Sequence, residues 1–236
     1  MELLPVCHFE LRRTVTATPI VFVQSEDKYR VVSVLALEKG KNLFISPDGN
    51  WMTDFIPATL LGYPFSITNL PNGAKEMVIR EDSDIIVSRD EGEPFFDDDG
   101  EVGALLNQYK QLSISIHRDR ILTQTACSQL QEFELLQPFK PKFQKLDGLS
   151  FELDGLFRVN EQKFFELEDK VLLQLRKTVA IDLIYASIFS FNLFEALSKI
   201  MNHPKKSRME QGANNRLEEL GKEFFESKEE KLNFDF

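Results

Sequence analysis

Between Asn42 and Phe65 the chain reads NLFISPDGNWMTDFIPATLLGYPF, a long stretch whose only charges are Asp48 and Asp54. Leu43, Phe44 and Ile45 form a short apolar run that stops at Pro47-Asp48-Gly49-Asn50. Proline presets φ for such a turn, and glycine takes the positive φ that other residues resist. The only tryptophan, Trp51, follows immediately, and then Phe55, Ile56, Leu60, Leu61, Tyr63 and Phe65. A buried apolar side chain contributes on the order of 1.5 to 3 kcal/mol, so this segment is expected in the core with its turn outside.

The pattern around this stretch is β. Ile20 to Val23, Tyr29 to Leu37 and Leu43 to Ile45 are expected as strands of an antiparallel meander, joined by the polar connectors Ser25 to Lys28 and Glu38 to Lys41. Phe65 to Thr68, Met77 to Arg80 and Ile85 to Ser88 continue it as short strands, with Pro71-Asn72-Gly73 and Glu81-Asp82-Ser83 as turns. Further on, Phe139 to Leu146 restores the signal, and Asp154-Gly155 is expected to close a hairpin between Ser150 to Leu153 and Leu156 to Val159. Asn160 then fits a helix N-cap.

Helical periodicity starts near Val102. Leu105, Leu106, Tyr109, Leu112 and Ile116 share a face with it, and Leu122, Ala126, Leu130 and Phe133 repeat the spacing. His117-Arg118-Asp119-Arg120 interrupts the stripe, which favours two helices over one. The block from Glu161 to Met201 is the most hydrophobic part. Thr178 to Ile200 approaches membrane-span length, but Asp182, Glu195 and Lys199 would each cost several kcal/mol in lipid, by order of magnitude, so a buried soluble helix is expected. Pro204 ends it, and Leu217, Leu220 and Phe224 mark a separate amphipathic tail whose last residues are Leu232-Asn233-Phe234-Asp235-Phe236.

Charge excludes one class of partner. With a net charge of -10 the chain lacks the cations that drive phosphate-backbone binding, and the cluster Lys205, Lys206 and Arg208 is small. With 21 Phe against 4 Tyr and 1 Trp, the aromatic surface suits packing or a hydrophobic groove more than polar recognition. Cys7 and Cys127 are too few and too far apart for a disulfide framework or a zinc site. A reducing compartment fits them, and the start MELLPVCHFELRR has no secretory pattern, so the expectation is cytoplasmic with no membrane span.

No catalytic motif is present: neither G-x-S-x-G, nor a glycine-rich phosphate loop, nor H-E-x-x-H. The acidic run from Asp90 to Glu101 suggests calcium, but an EF-hand register around Gly100 would put Phe95 and Leu106 at ligand positions, where neither can serve. A solvated loop with carboxylates capping the following helix explains the run better. His117 next to Asp119 is the best seed for a two-His, one-carboxylate iron site, and Asp97 and Asp99 with His117 are the metal-site alternative. Cys127 lies beside an apolar helix face and reads as a small core residue. Asp182 and Asn192, inside the apolar C-terminal helix, are expected as buried polar residues that must find partners.

Several of these residues together carry a family resemblance. Pro19-Ile20-Val21-Phe22, then N-L-F at Asn42, D-G-x-W at Asp48, I-P-A at Ile56 and Y-P-F at Tyr63 are joined by Phe96-Asp97-Asp98-Asp99-Gly100 before a helix. Leu135-Leu136 before Pro138, and Tyr185-Ala186-Ser187 followed by Ser190, complete the set. In that order, from about Pro5 to Ile200, the chain resembles the SapC-like family of bacterial proteins. Ser187 departs from the family pattern, which leads one to expect histidine there. The resemblance implies a surface-layer gene context, and gene neighbourhoods with flavin-dependent tryptophan-halogenase-like proteins, cupin-like hydroxylases and TonB-dependent receptors; these are associations, not mechanisms.

The reading that follows is an α+β protein, an antiparallel β-rich N-terminal half packed on a helical C-terminal half. Residues 1–203 would form one domain and residues 204–236 a polar, partly helical tail. The expected function is a non-catalytic accessory protein without a cofactor, binding a peptide or protein partner through an aromatic groove. Trp51, Phe55, Pro57, Tyr63, Phe65 and Tyr185 would line it, with Asp182 and Asn192 as polar neighbours. The rival readings are a metal-dependent, oxygenase-like enzyme using Asp97, Asp99 and His117, and a structural or secretion role in a surface layer.

Overall fold

The computed structural model describes residues 1–88 and 91–202. Antiparallel sheets dominate the first half and helices the second, so the protein is α+β. Its strands are β1 (Glu2–Pro5), β2 (Ile20–Ser25), β3 (Lys28–Ala36), β4 (Phe65–Asn69), β5 (Lys75–Ile79), β6 (Leu136–Phe139), β7 (Lys142–Gln144), β8 (Ser150–Glu152) and β9 (Leu156–Val159). The helices are α1 (Leu11–Ala17), α2 (Ala58–Leu61), α3 (Ala104–Glu132), α4 (Glu161–Phe165), α5 (Asp169–Leu175), α6 (Ala180–Ser190) and α7 (Leu193–Asn202).

A five-stranded antiparallel sheet in the order β1-β3-β2-β9-β6 forms the centre. Its β2–β3 hairpin turns at Glu26 and Asp27, both at positive φ, as a two-residue connection between right-twisted strands requires. Prolines sit only on the edges, Pro5 in β1 and Pro138 in β6, where a missing N–H breaks no central ladder. Both faces are covered, which is why β2 and β3 read as nearly continuous apolar runs rather than as alternation. Ile20, Phe22 and Val31 face α3 and α6 through Ala126, Leu130, Leu183 and Ile184. Val21, Val32 and Val34 face the other way, onto Phe44, Phe143 and, from α7, Phe194 and Leu197.

The second LDG triplet does not close a hairpin. β8 pairs with β7, while β9 leaves Gly155 to insert between β2 and β6. The hairpin turn is the first triplet, where Gly148 has φ +85° and Gly148 N–H donates to Lys145 O. Both triplets carry the same turn chemistry; the burial of Leu156 and Val159 in the central sheet decides between them. Two further expected strands are absent. Leu43 to Ile45 makes only a single bridge, Ile45 to Trp51, and Ile85 to Ser88 lies outside any strand.

α3 is one helix of 29 residues, not two. Its buried stripe runs through Leu112, Ile116, Asp119, Thr123, Ala126 and Leu130, so two polar residues occupy core positions while Leu122 is exposed. Asp119 is stabilised there by accepting the backbone N–H groups of His8 and Phe9. Pattern reading mistook those polar positions for a break.

The block from Glu161 to Met201 contains four helices, and the single buried helix expected over Thr178 to Ile200 is two, α6 and α7. Asn160 caps α4 as expected, its Oδ1 accepting Lys163 N–H at 3.1 Å. α6 and α7 meet at a 44° bend. No single described helix is long and apolar enough to cross a membrane, although the bent pair passes by length and composition together. The expected tail lies outside the described residues.

Candidate functional site

The stretch from Asn42 to Phe65 works as a strap. Its turn forms as expected, with Gly49 at φ +83° and Ser46 N–H donating to Asn50 O at 2.8 Å. Trp51 stacks on Phe44 with ring centroids 5.7 Å apart, and its indole N–H donates to Thr53 Oγ1 and Phe55 O, both at 2.8 Å. Ile56, Pro57 and Ala58 are buried. Gly62 then lets the chain close on α3: a Cβ there would meet Ile116 Cδ1 at 2.9 Å. Beyond it the chain surfaces, because Tyr63 is 41% exposed and Leu60 37%, which corrects the expectation that the whole apolar segment is core. Pro64 is cis. Phe65, half-buried, packs on Tyr109 at 4.6 Å and on Phe95 at 5.5 Å.

Glu10 and Asp119 hold the N-terminal segment against this strap and α3. Glu10 is buried, with Oε1 accepting Cys7 N–H at 2.9 Å and Oε2 accepting Ala58 N–H at 2.7 Å. Burial pushes its pKa up to about 7, although both N–H bonds pull the other way. The sequence reading did not single out Glu10. Its partners lie three and 48 residues away, and only the near one is visible locally.

The eight candidate binding residues do not line one groove. Trp51 belongs to the core below the sheet, with Phe55 O tied to its indole. Tyr185 lies elsewhere, on α6, between Phe164 and an exposed Phe189. Asp182 and Asn192 are exposed rather than buried, because the short α6 turns only one side to the sheet and Asn192 sits in the bend before α7. Asp182 does have a partner, His8 Nε2 at 2.6 Å. Tyr63 and Phe65 do border a cavity.

That cavity, about 470 Å³, opens between the β4–β5 hairpin and α3. Tyr63, Pro64, Phe65 and Ile116 give it apolar walls, and Ser113, His117, Arg80 and Arg120 give it polar ones. A second cavity of about 680 Å³ lies on the other side of β4, sharing Ile67, His117 and Arg120 and adding Arg30. No carboxylate lines either one, in a chain with 38 acidic residues against 28 Lys and Arg. Ser113 Oγ and His117 Nε2 are buried and have no hydrogen-bond partner among the described residues. Desolvation first, then the charges of Lys75 and Arg120, lower the His117 pKa from its ordinary value, which favours the neutral imidazole.

Asp97, Asp99 and His117 are not assembled. Asp97 Oδ1 instead accepts the N–H groups of Asp99 and Glu101, folding the acidic loop on itself, and no carboxylate caps α3, whose N-cap is Gly103. Among the described residues no group of three or more His, Cys, Asp or Glu is arranged to hold a metal ion. Cys127 is a core residue, and burial raises its thiol to about 12, far from thiolate chemistry at neutral pH.

The segment Tyr185-Ala186-Ser187 and Ser190 has a structural task. Ser187 Oγ donates to Ile20 O at 3.1 Å, and Ser190 Oγ accepts Ile20 N–H at 2.9 Å, clamping α6 to the start of β2. Ser190→Ala leaves a buried N–H unsatisfied and is expected to cost about 1 to 3 kcal/mol in urea unfolding. An unchanged midpoint would remove the clamp from the account.

Fold and site thus define an α+β protein whose central sheet is covered on both faces and whose cation-lined cavities open beneath a β-hairpin on the longest helix. A family model described as SapC matches residues 1–197, and the chain belongs to that family. Neither the curated proteins nor the solved structures contain a match to it.

Proposed function

We propose that the protein is an accessory binding module that takes a peptide or protein partner in the cleft between the β4–β5 hairpin and α3. The observation that carries this reading is the opening beside Tyr63 and Phe65. There, aromatic side chains flank a cavity of about 470 Å³, within the range of ligand sites. Tyr63 is half out in water beside it, where a partner could cover the ring and pair its hydroxyl. The groove is therefore narrower than the sequence suggested. Trp51 and Phe55 are not among the residues that line it, and Tyr185 with Phe189 forms a separate surface.

The reading keeps the partner in a reducing, cytoplasmic setting, a choice supported by Cys7 and Cys127, both buried and neither in a disulfide. Proteins encoded beside SapC-like genes, the halogenase-like, cupin-like and TonB-receptor classes named above, are the first partners to try. Affinity capture from the native host tests the site with three baits: the intact chain, Tyr63→Ala and Phe189→Ala. Tyr63→Ala is expected to lose a specific partner by about tenfold or more, as truncation of an aromatic anchor does, and Phe189→Ala to retain it. Loss with Phe189→Ala alone would move the site to α6.

A further inference from the structure

We propose that the cavity between the β4–β5 hairpin and α3 binds a carboxylate carried on an apolar group, such as the C-terminal residue of a peptide. The site is assigned by charge and by missing partners rather than by shape. Ser113 is 3% exposed and lines the cavity, yet its hydroxyl has no partner among the described residues; one turn along α3, buried His117 Nε2 is in the same condition. A buried polar atom without a partner costs about 1 to 3 kcal/mol, so two on one wall indicate a group that arrives from outside.

Both atoms can donate, Ser113 through its hydroxyl and His117 through Nε2–H in the matching tautomer. An arriving acceptor satisfies both at once. Its charge follows from the surroundings. Arg80 and Arg120 line the same cavity, no carboxylate does, and Arg120 has no ion-pair partner among the described residues. Arg80 is only loosely engaged, 3.8 Å from Asp82. Within a chain of net charge -10, this is a local positive field beside a hydroxyl and an imidazole left without partners; the other two such hydroxyls among the described residues, Thr18 and Ser33, do not line the cavity. The remaining walls, Phe65, Ile67, Val78 and Ile116, are apolar and suit an aliphatic or aromatic residue attached to the carboxylate.

A free carboxylic acid and a peptide terminus share this chemistry. The proposal narrows the binding function above and rests on it for the source of the carboxylate, not for the site itself. The test titrates the full chain, by calorimetry and amide NMR, with four probes at up to about 10 mM, the range in which weak sites are still read. These are N-acetylphenylalanine, its amide, and one hexapeptide ending in phenylalanine as free acid and as amide.

The acids are expected to bind about tenfold or more tightly than the amides, the margin of a charge-assisted hydrogen-bond pair. Arg120→Met and Ser113→Ala each remove most of that margin while leaving thermal unfolding cooperative. Arg120 is exposed, so its variant tests binding without disturbing the core. Equal binding of acid and amide overturns the carboxylate site, even if the hexapeptides bind and the peptide reading stands. Binding of the small acid but of neither hexapeptide keeps the site and overturns the peptide reading. No binding by any probe overturns both.

Discussion

Replacing Glu10 by alanine is expected to destabilise the protein by about 3 kcal/mol at pH 7, because two buried N–H groups lose their acceptor and a cavity is left. Those groups belong to Cys7 and Ala58, so one side chain ties the N-terminal segment to the start of α2. For a chain of this size such a loss lowers the melting temperature by about 6 to 12 °C. Glu10 also gives stability a recognisable pH dependence. Its folded pKa, about 7, lies above the ordinary 4.5, so the folded state holds more protons than the unfolded one between those values. Stability is fully present below about pH 4.5 and falls as pH rises toward 7, by about 3 kcal/mol in all. His117 contributes the opposite slope, being depressed below 6.5, and Glu38, lowered to about 2 by Lys145 and Lys41, acts only below pH 4.5. Glu10→Gln isolates the effect. Urea unfolding between pH 4.5 and 8 should lose the falling slope in that variant, and an unchanged slope would assign it to another group.

Phe22→Ala is expected to cost about 4 kcal/mol. Phe22 is wholly buried in β2, opposite Val31 on one side and Phe157 on the other, under α3 and α6. Packed neighbours on both sheet partners and under both helices limit collapse of the hole, so the cost should not fall to the lower end of the range for aromatic truncation. Phe22→Leu keeps most of the volume and should cost about 1.5 kcal/mol or less. Denaturant midpoints at constant slope separate the two variants. Equal, small losses would mean that the sheet is not the clamped centre described above.

Local chemistry made some elements legible and left others closed. β2, β3, β4 and β5 were readable because their apolar runs end in turn residues of matching type, and Asn160 announced α4 by its own side chain. The family was readable too, and the motifs that carried it now have physical tasks. The D-G-x-W turn places Trp51 on Phe44, I-P-A presents the Ala58 N–H to Glu10, and the glycine before Y-P-F allows close approach to α3.

What stayed closed depended on partners far along the chain. Asp119 looked like a helix break because the His8 and Phe9 amides that satisfy it lie 111 and 110 residues away. Asp182 looked buried because hydropathy counts neighbours in sequence, not the side of α6 on which it stands. Phe189 shows the same error from the apolar side, being 66% exposed. The cavity was the least readable feature. Arg80, Ser113, His117 and Arg120 come from a hairpin and a helix with no shared motif, and of the four only His117 carries a recognisable chemistry in sequence, that of a metal ligand.

The central claim, that a partner enters beside the β4–β5 hairpin, is tested most directly by a photo-crosslinking residue placed at position 63 or 189 of the full chain in its native host. The account predicts one discrete, ultraviolet-dependent adduct from position 63 and none from position 189. An adduct from 189 alone, or none from either, would contradict it.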